Sequence, residues 1–152
     1  MINSRKTEDL HLEVMSKAIK LEVLCLQNGI EIIITSTYRD IESQNALYAI
    51  GRTKMGANPT KAKPMGQTVT NAKGGQSYHN FKVAFDVVPV VHGKAIWNNN
   101  KVWQQVGKLG TELGLEWGGN FKSIKDMPHF QYTKGLTLAE FQAGKDKGLF
   151  ND

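Results

Sequence analysis

His79 and Asp86 stand seven positions apart in Ser77-Tyr78-His79-Asn80-Phe81-Lys82-Val83-Ala84-Phe85-Asp86-Val87-Val88-Pro89, at the edge of an apolar run. Downstream, Asp126-Met127-Pro128-His129-Phe130 sets an aspartate three residues before a second histidine. A hydrolytic zinc site needs three protein ligands and an open position, and imidazole nitrogen with carboxylate oxygen suits that ion. His79, Asp86 and His129 are the candidate ligands. Zinc brings the pKa of a water it holds towards neutrality, which makes a nucleophile available. A nearby carboxylate must take the proton and return it to the leaving amine. Asp126, with Pro128 stiffening the approach to His129, is the candidate for that work.

Each of these residues also has an ordinary explanation. A histidine in an apolar neighbourhood is usually a hydrogen-bonded structural residue, and aspartates commonly end strands or shape turns. His-x6-Asp is not a specific spacing, unlike His-Glu-x-x-His on a helix. Residue types and spacing alone leave both readings open. His11 and His92, in a helix and a turn, are read as spares.

The elements must bring the candidates together. In an extended segment, residues seven apart face opposite sides, so the chain must turn between His79 and Asp86. Upstream, Leu10, Val14, Ala18, Leu21 and Cys25 recur at helical spacing and predict a helix from about Lys6 to Gln27, stopped by Asn28-Gly29. Ile30 to Thr35 reads as a buried strand. Asp40 is the expected N-cap of a second helix through Gln44, Leu47 and Tyr48. Residues 51–76, rich in Gly, Pro, Lys and Thr, read as a long irregular segment forming part of a substrate groove. A strand is expected over Val83–Val91, with Pro89 placing it at an edge or at its end. His92-Gly93 then turns into a short return strand at Lys94-Ala95-Ile96. A third helix over Lys101–Leu113, a turn at Trp117-Gly118-Gly119-Asn120, a last strand at His129–Tyr132 and a capping box at Thr137–Glu140 complete an α+β pattern.

With 152 residues the chain is expected to be one domain. One cysteine, Cys25, excludes an intramolecular disulfide and falls on the apolar helical stripe. No membrane span and no secretory signal are read from the sequence. The net charge is +5, and no acidic residue stands between Glu42 and Asp86, while Arg52, Lys54, Lys61, Lys63, Lys73 and Lys82 do. Such a surface draws anions, whether a cell-wall polymer, nucleic acid or an acidic membrane.

Ser77-x-His79-x6-Asp86, with Ala84 two before the aspartate, followed by Asp126-x-x-His129, resembles the VanY-like zinc peptidases. That family includes D-alanyl-D-alanine carboxypeptidases and the L-alanyl-D-glutamate endopeptidases found among phage endolysins. Thr35-Ser36-Thr37-Tyr38-Arg39, Gln44, Leu47-Tyr48-x-x-Gly51-Arg52 and Trp117-Gly118-Gly119-x-Phe121 are similar to the family's flanking segments, so the resemblance spans most of residues 30–132. It implies a small, mainly antiparallel sheet flanked by helices, of the hedgehog and D-Ala-D-Ala peptidase type. It implies one zinc per chain on His79, Asp86 and His129, with Asp126 as catalytic base and Arg39 near the substrate carbonyl. Ser77, and more weakly Gln44 and Tyr48, are implied substrate contacts. Lys82 stands where relatives often carry Gly.

Within the resemblance, Asp rather than Glu at 126 leans towards an endopeptidase cutting the L-alanyl–D-glutamate bond of peptidoglycan stem peptides. The alternative within the family is a D-alanyl-D-alanine carboxypeptidase, and the alternative of another class is a non-catalytic zinc-containing binding module. A nucleic-acid partner ranks last, because residues 51–76 offer no aromatic stacking platform. The expected protein is a monomeric endolysin, made in the host bacterial cytoplasm without a signal peptide. It acts on the cell wall after release, without stable membrane insertion.

Overall fold

Three consecutive isoleucines make Glu31–Ser36 a strand, β1, because β-branched side chains suit the pleated conformation. The computed structural model describes residues 1–150 and sets β1 at one edge of a five-stranded antiparallel sheet. The other strands are β2 (Ala84–Val91), β3 (Lys94–Ala95), β4 (Glu116–Trp117) and β5 (His129–Gln131), in the order β1-β2-β5-β4 with β3 paired to β2. β1 is not buried throughout: Ile32 and Ile34 enter the core, while Ile33 between them is 50% exposed.

Pro89 corrects the expectation of an edge or a strand end, since β2 is the central strand and Pro89 pairs with Ile32 of β1. Its carbonyl accepts from Ile96, so its nitrogen faces that same side, beyond the end of the β5 pairing. The missing N–H therefore removes no bond to β1. His92 and Gly93 both take positive φ, 51° and 76°, which is the twist a two-residue hairpin needs before β3.

Helix α1 (Leu12–Gln27) starts later than its apolar spacing suggests. A short 3-10 turn at Thr7–Asp9 precedes it, and the Lys6 carbonyl accepts from the Thr37 hydroxyl, tying this arm to the end of β1. The predicted face is otherwise intact, with Val14, Ala18, Leu21 and Cys25 fully buried. Burial pushes the Cys25 thiol up to about 11, consistent with an inert structural residue. Helix α2 (Ile41–Ala49) is capped by the Asp40 carboxylate, which accepts from the Ser43 N–H. Helix α4 (Leu138–Gln142) opens on the Thr137–Glu140 capping box.

Helix α3 (Asn100–Glu112) explains two glycines that helix propensity disfavours. A Cβ at Gly107 would run into the Trp117 ring, and one at Gly110 into the Phe130 ring. Close approach of α3 to β4 and β5 requires both. One core cluster gathers α1, β1, β2, α3, β4, β5 and Phe141 of α4. We expect Gly110→Ala to destabilise the protein by about 1–3 kcal/mol through overpacking against Phe130. Urea denaturation measures this, and an unchanged midpoint would contradict the packing account.

Candidate metal centre

Antiparallel pairing sets the residues of β2 and β5 opposite one another, and Asp86 pairs with His129. Paired side chains emerge on the same face. That face is the one away from Phe85 and Phe130, whose rings stack in the core with centroids 5.7 Å apart. On the other side of β2, Ser36 of β1 also pairs with Asp86, after an irregularity at Thr35 that turns Ser36 to this face.

His79 comes from outside the sheet. It lies in a 3-10 turn, Tyr78–Phe81, opened by a capping box in which Ser77 accepts from the His79 N–H and Asn80 accepts from the Ser77 N–H. The turn ends at Lys82, which takes the left-handed conformation with φ 63° and ψ 26°. This is the reversal that the seven-residue spacing demands. A non-glycine residue there costs about 1–2 kcal/mol. The Lys82 ammonium lies 5.1 Å from the centre of the Tyr38 ring, which offsets part of that cost.

Three ligand atoms, one each from His79, Asp86 and His129, lie within 4.8 Å of one another. Asp86 Oδ1 is 3.3 Å from His79 Nε2 and 3.3 Å from His129 Nδ1. The far ring nitrogens are committed elsewhere: His79 Nδ1 is 2.8 Å from the Thr37 carbonyl and His129 Nε2 is 2.7 Å from Gln131 Oε1. Both partners are acceptors, so both rings donate outwards. In neutral imidazoles the nitrogens facing Asp86 are then bare lone pairs. Two lone pairs and a carboxylate converging in this way are reconciled by a cation between them, a metal ion or a proton. Outward donation by ligand histidines is the arrangement that fixes tautomer and orientation in metal sites. The donor set fits a tetrahedral divalent ion with one position left for water.

Without a metal ion, a proton takes the cation's place. Burial pushes the Asp86 carboxyl up, but His79 and His129 outweigh it and hold the group well below the usual carboxylate range. Burial pushes His129 down, yet the Asp86 carboxylate outweighs it and raises the imidazole above its ordinary value. Asp126 goes the other way. Desolvation raises it above an ordinary aspartate and the charge of Asp86 adds to the rise, while His129 opposes. Its backbone is fixed by Asp126 N–H donating to the Gly118 carbonyl and by His129 N–H donating to its own carbonyl. Gly118 permits this, because a Cβ there would run into the Asp126 carbonyl. The Trp117 indole N–H, 2.7 Å from the Met127 carbonyl, anchors the same loop to the core.

His79, Asp86, Asp126 and His129 share one groove of about 670 Å³ with Arg39 and Ser77. Residues 69–72 and Gln76 of the long irregular segment also line it, with Phe121 and Ile124 from the loop before β5. Arg39 does not form a surface pair with Asp40 or Glu42. Its guanidinium donates to Gln44 Oε1 at 2.9 Å and to Ser36 Oγ at 3.1 Å, and its backbone pairs with Asn3 in the N-terminal arm. Burial lowers the Arg39 pKa, opposed by Asp86.

Two expected substrate contacts lie elsewhere. Gln44 is fully buried beneath the groove, where it accepts from Arg39 and donates to the Ala72 carbonyl. It bridges the arginine to the groove loop. Tyr48 is covered by the Arg52 guanidinium, 3.7 Å from its ring centre, and does not line the groove. Arg52 in turn donates to the Tyr48 and Thr70 carbonyls, pinning the irregular segment to α2. Sequence reasoning missed Gln131. Its signal was polar alternation, His129-x-Gln131-x-Thr133, along the last strand. Among the described residues no other group of three ligand-type side chains converges, and His11 and His92 belong to none.

The model of a family described as D-alanyl-D-alanine carboxypeptidase matches residues 70–132, the span holding all four candidate residues. The chain is 36% identical over 132 residues to the peptidoglycan L-alanyl-D-glutamate endopeptidase CwlK of Bacillus subtilis (strain 168), covering 81% of this chain and 73% of that protein. The Serratia marcescens L-Ala D-Glu endopeptidase ChiX superposes with a TM-score of 0.56 at 22% identity, over 90% of this chain and 86% of that one. VanYB in complex with D-alanine-D-alanine gives a TM-score of 0.63 at 16% identity, over 94% and 88%. The latter two likenesses are of fold.

Lys82→Gly tests the turn between the ligands. Relief of the left-handed strain is expected to stabilise the protein by about 0.5–1 kcal/mol, after loss of the Tyr38 contact. A lower thermal midpoint in the variant would contradict the strain account.

Proposed function

The chain belongs to the VanY-like zinc peptidases, and from that premise we propose that it is a zinc-dependent peptidoglycan endopeptidase hydrolysing the L-alanyl–D-glutamate bond of stem peptides. The observation that carries the reading is the convergence of His79, Asp86 and His129 in one groove with Asp126 and Arg39. The choice of bond is supported by the 36% identity to a relative of that named activity. Asp126 rather than Glu before His129 points the same way.

His79, Asp86 and His129 would hold zinc, which would supply an activated water and a positive charge for the scissile carbonyl. Asp126 would accept a proton from the attacking water and deliver it to the leaving amine of the glutamate. The water oxygen bonds to the alanyl carbonyl carbon as the C–N bond breaks. Asp126, partly desolvated in the groove beside the three ligands, is placed to act first as base and then as acid. Arg39, locked by Gln44 and Ser36, presents a fixed cation to the developing oxyanion. Ser77 lies at the groove beside His79 and is available to a substrate amide or carbonyl. We extend the reading to a lytic role of the endolysin type at the bacterial wall, reached after release from the cytoplasm. That extension rests on the resemblance.

A second reading, D-alanyl-D-alanine carboxypeptidase, is favoured by the description of the matching family model. Mass spectrometry of digested peptidoglycan separates the two: an endopeptidase leaves peptides with a new N-terminal glutamate, whereas release of terminal alanine alone would overturn the proposed bond.

Asp126→Asn is expected to lower kcat/KM by about 10²–10⁴-fold with zinc content unchanged. Unaltered cleavage would remove Asp126 from the mechanism. In the metal-free protein the Asp126 carboxyl is expected to titrate above an ordinary aspartate, and zinc binding is expected to lower it; carboxyl-carbon NMR titrations with and without zinc check both shifts. Chelation is expected to abolish activity and zinc to restore it.

A further inference from the structure

The support behind His129 reaches one strand further than its hydrogen-bond partner. The geometry points to Glu116 as a positioning residue that selects the tautomer of His129, an inference that rests on the metal reading above. His129, Gln131 and Thr133 follow one another at alternate positions at the end of the sheet, and Gln131 pairs with Glu116 across β4 and β5. Gln131 Nε2 is 2.8 Å from Glu116 Oε2, and the Thr133 hydroxyl donates to Glu116 Oε1 at 2.7 Å. Gln131 Oε1 is 2.7 Å from His129 Nε2.

The direction of this chain is set at its outer end. A carboxylate only accepts, so the side of Gln131 facing Glu116 must be its NH₂. The Gln131 carbonyl then faces His129, which must donate from Nε2. In the neutral ring that leaves the Nδ1 lone pair directed at Asp86. Gln131 is 4% exposed, so water does not compete for its amide. A flipped amide would aim N–H at His129 and oxygen at the carboxylate, leaving buried groups mismatched. His79 needs no such device, because its outward partner is the Thr37 main-chain carbonyl, which cannot reverse. The support of His129 is reversible by rotation, and Glu116 removes that freedom.

Glu116→Gln is isosteric and lies at an exposed position, so the fold is retained. The new amide both donates and accepts, and Gln131 is free to turn. Zinc affinity of the metal-free protein, measured by competition with a chromogenic chelator, is expected to fall about 10–100-fold. Two-bond proton–nitrogen spectra of the metal-free protein, recorded where the imidazole is neutral, are expected to show His129 as Nε2–H in the natural protein. Part of the population should move to Nδ1–H in the variant. The double variant Glu116→Gln with Gln131→Glu places a carboxylate directly on His129 Nε2–H and is expected to recover both readouts. Natural affinity with an unchanged His129 spectrum in Glu116→Gln would overturn the inference, as would a double variant no better than the single one. If the natural protein binds no zinc, the metal reading fails, while the metal-free spectra still decide the role of Glu116.

Discussion

The register between β2 and β5 is the constraint on which the site depends. Asp86 faces His129 because these two strands pair in one alignment, and a slip of one residue would exchange every side chain between faces. His129 would then enter the core and Phe130 would occupy the groove. What prevents the slip is on the opposite face. Phe85 stacks on Phe130, Trp117 pairs with Phe130 between β4 and β5, and Gly110 of α3 accepts the Phe130 ring where a Cβ would run into it. Apolar packing on one side of the sheet thereby fixes polar geometry on the other.

That polar face is an arrangement of acceptors. Both histidines direct one ring nitrogen outwards, to the Thr37 carbonyl and to Gln131, and in their neutral forms turn lone pairs towards the Asp86 carboxylate. An interior without a cation would disfavour this convergence. The groups around it are placed by local strain and close approach: Lys82 in the left-handed conformation, and Gly118 against the Asp126 backbone. Backbone strain of this kind concentrates at functional sites. Arg39 is held by the same logic of buried polar brackets, with Gln44 beneath it.

Much of this was legible in the chain. The spacing of Val14, Ala18, Leu21 and Cys25 specified the buried face of α1, and Asp40 and Thr137 specified caps, because those signals are local. The seven-residue separation of His79 and Asp86 demanded a reversal, and the strained residue is Lys82, in a conformation that favours glycine. Pro89 misled because a proline is judged against both sides of a strand, and only one side of β2 lacks a full partner there. Gln44 and Tyr48 lie on α2, but whether a helical side chain meets substrate or supports a neighbour depends on what packs over it. Here Arg39, Arg52 and the segment around residues 70–72 do. Glu116 was silent because its partner Gln131 is 15 residues away and joined only through strand pairing.

A crystal structure of the zinc-loaded protein, with diffraction recorded on both sides of the zinc absorption edge, tests the central claim most directly. The account predicts one anomalous peak per chain, about 2.0–2.2 Å from His79 Nε2, an Asp86 carboxylate oxygen and His129 Nδ1. Asp126 should stand off the ion. A peak at other ligands, or none at all within this triangle, would contradict it.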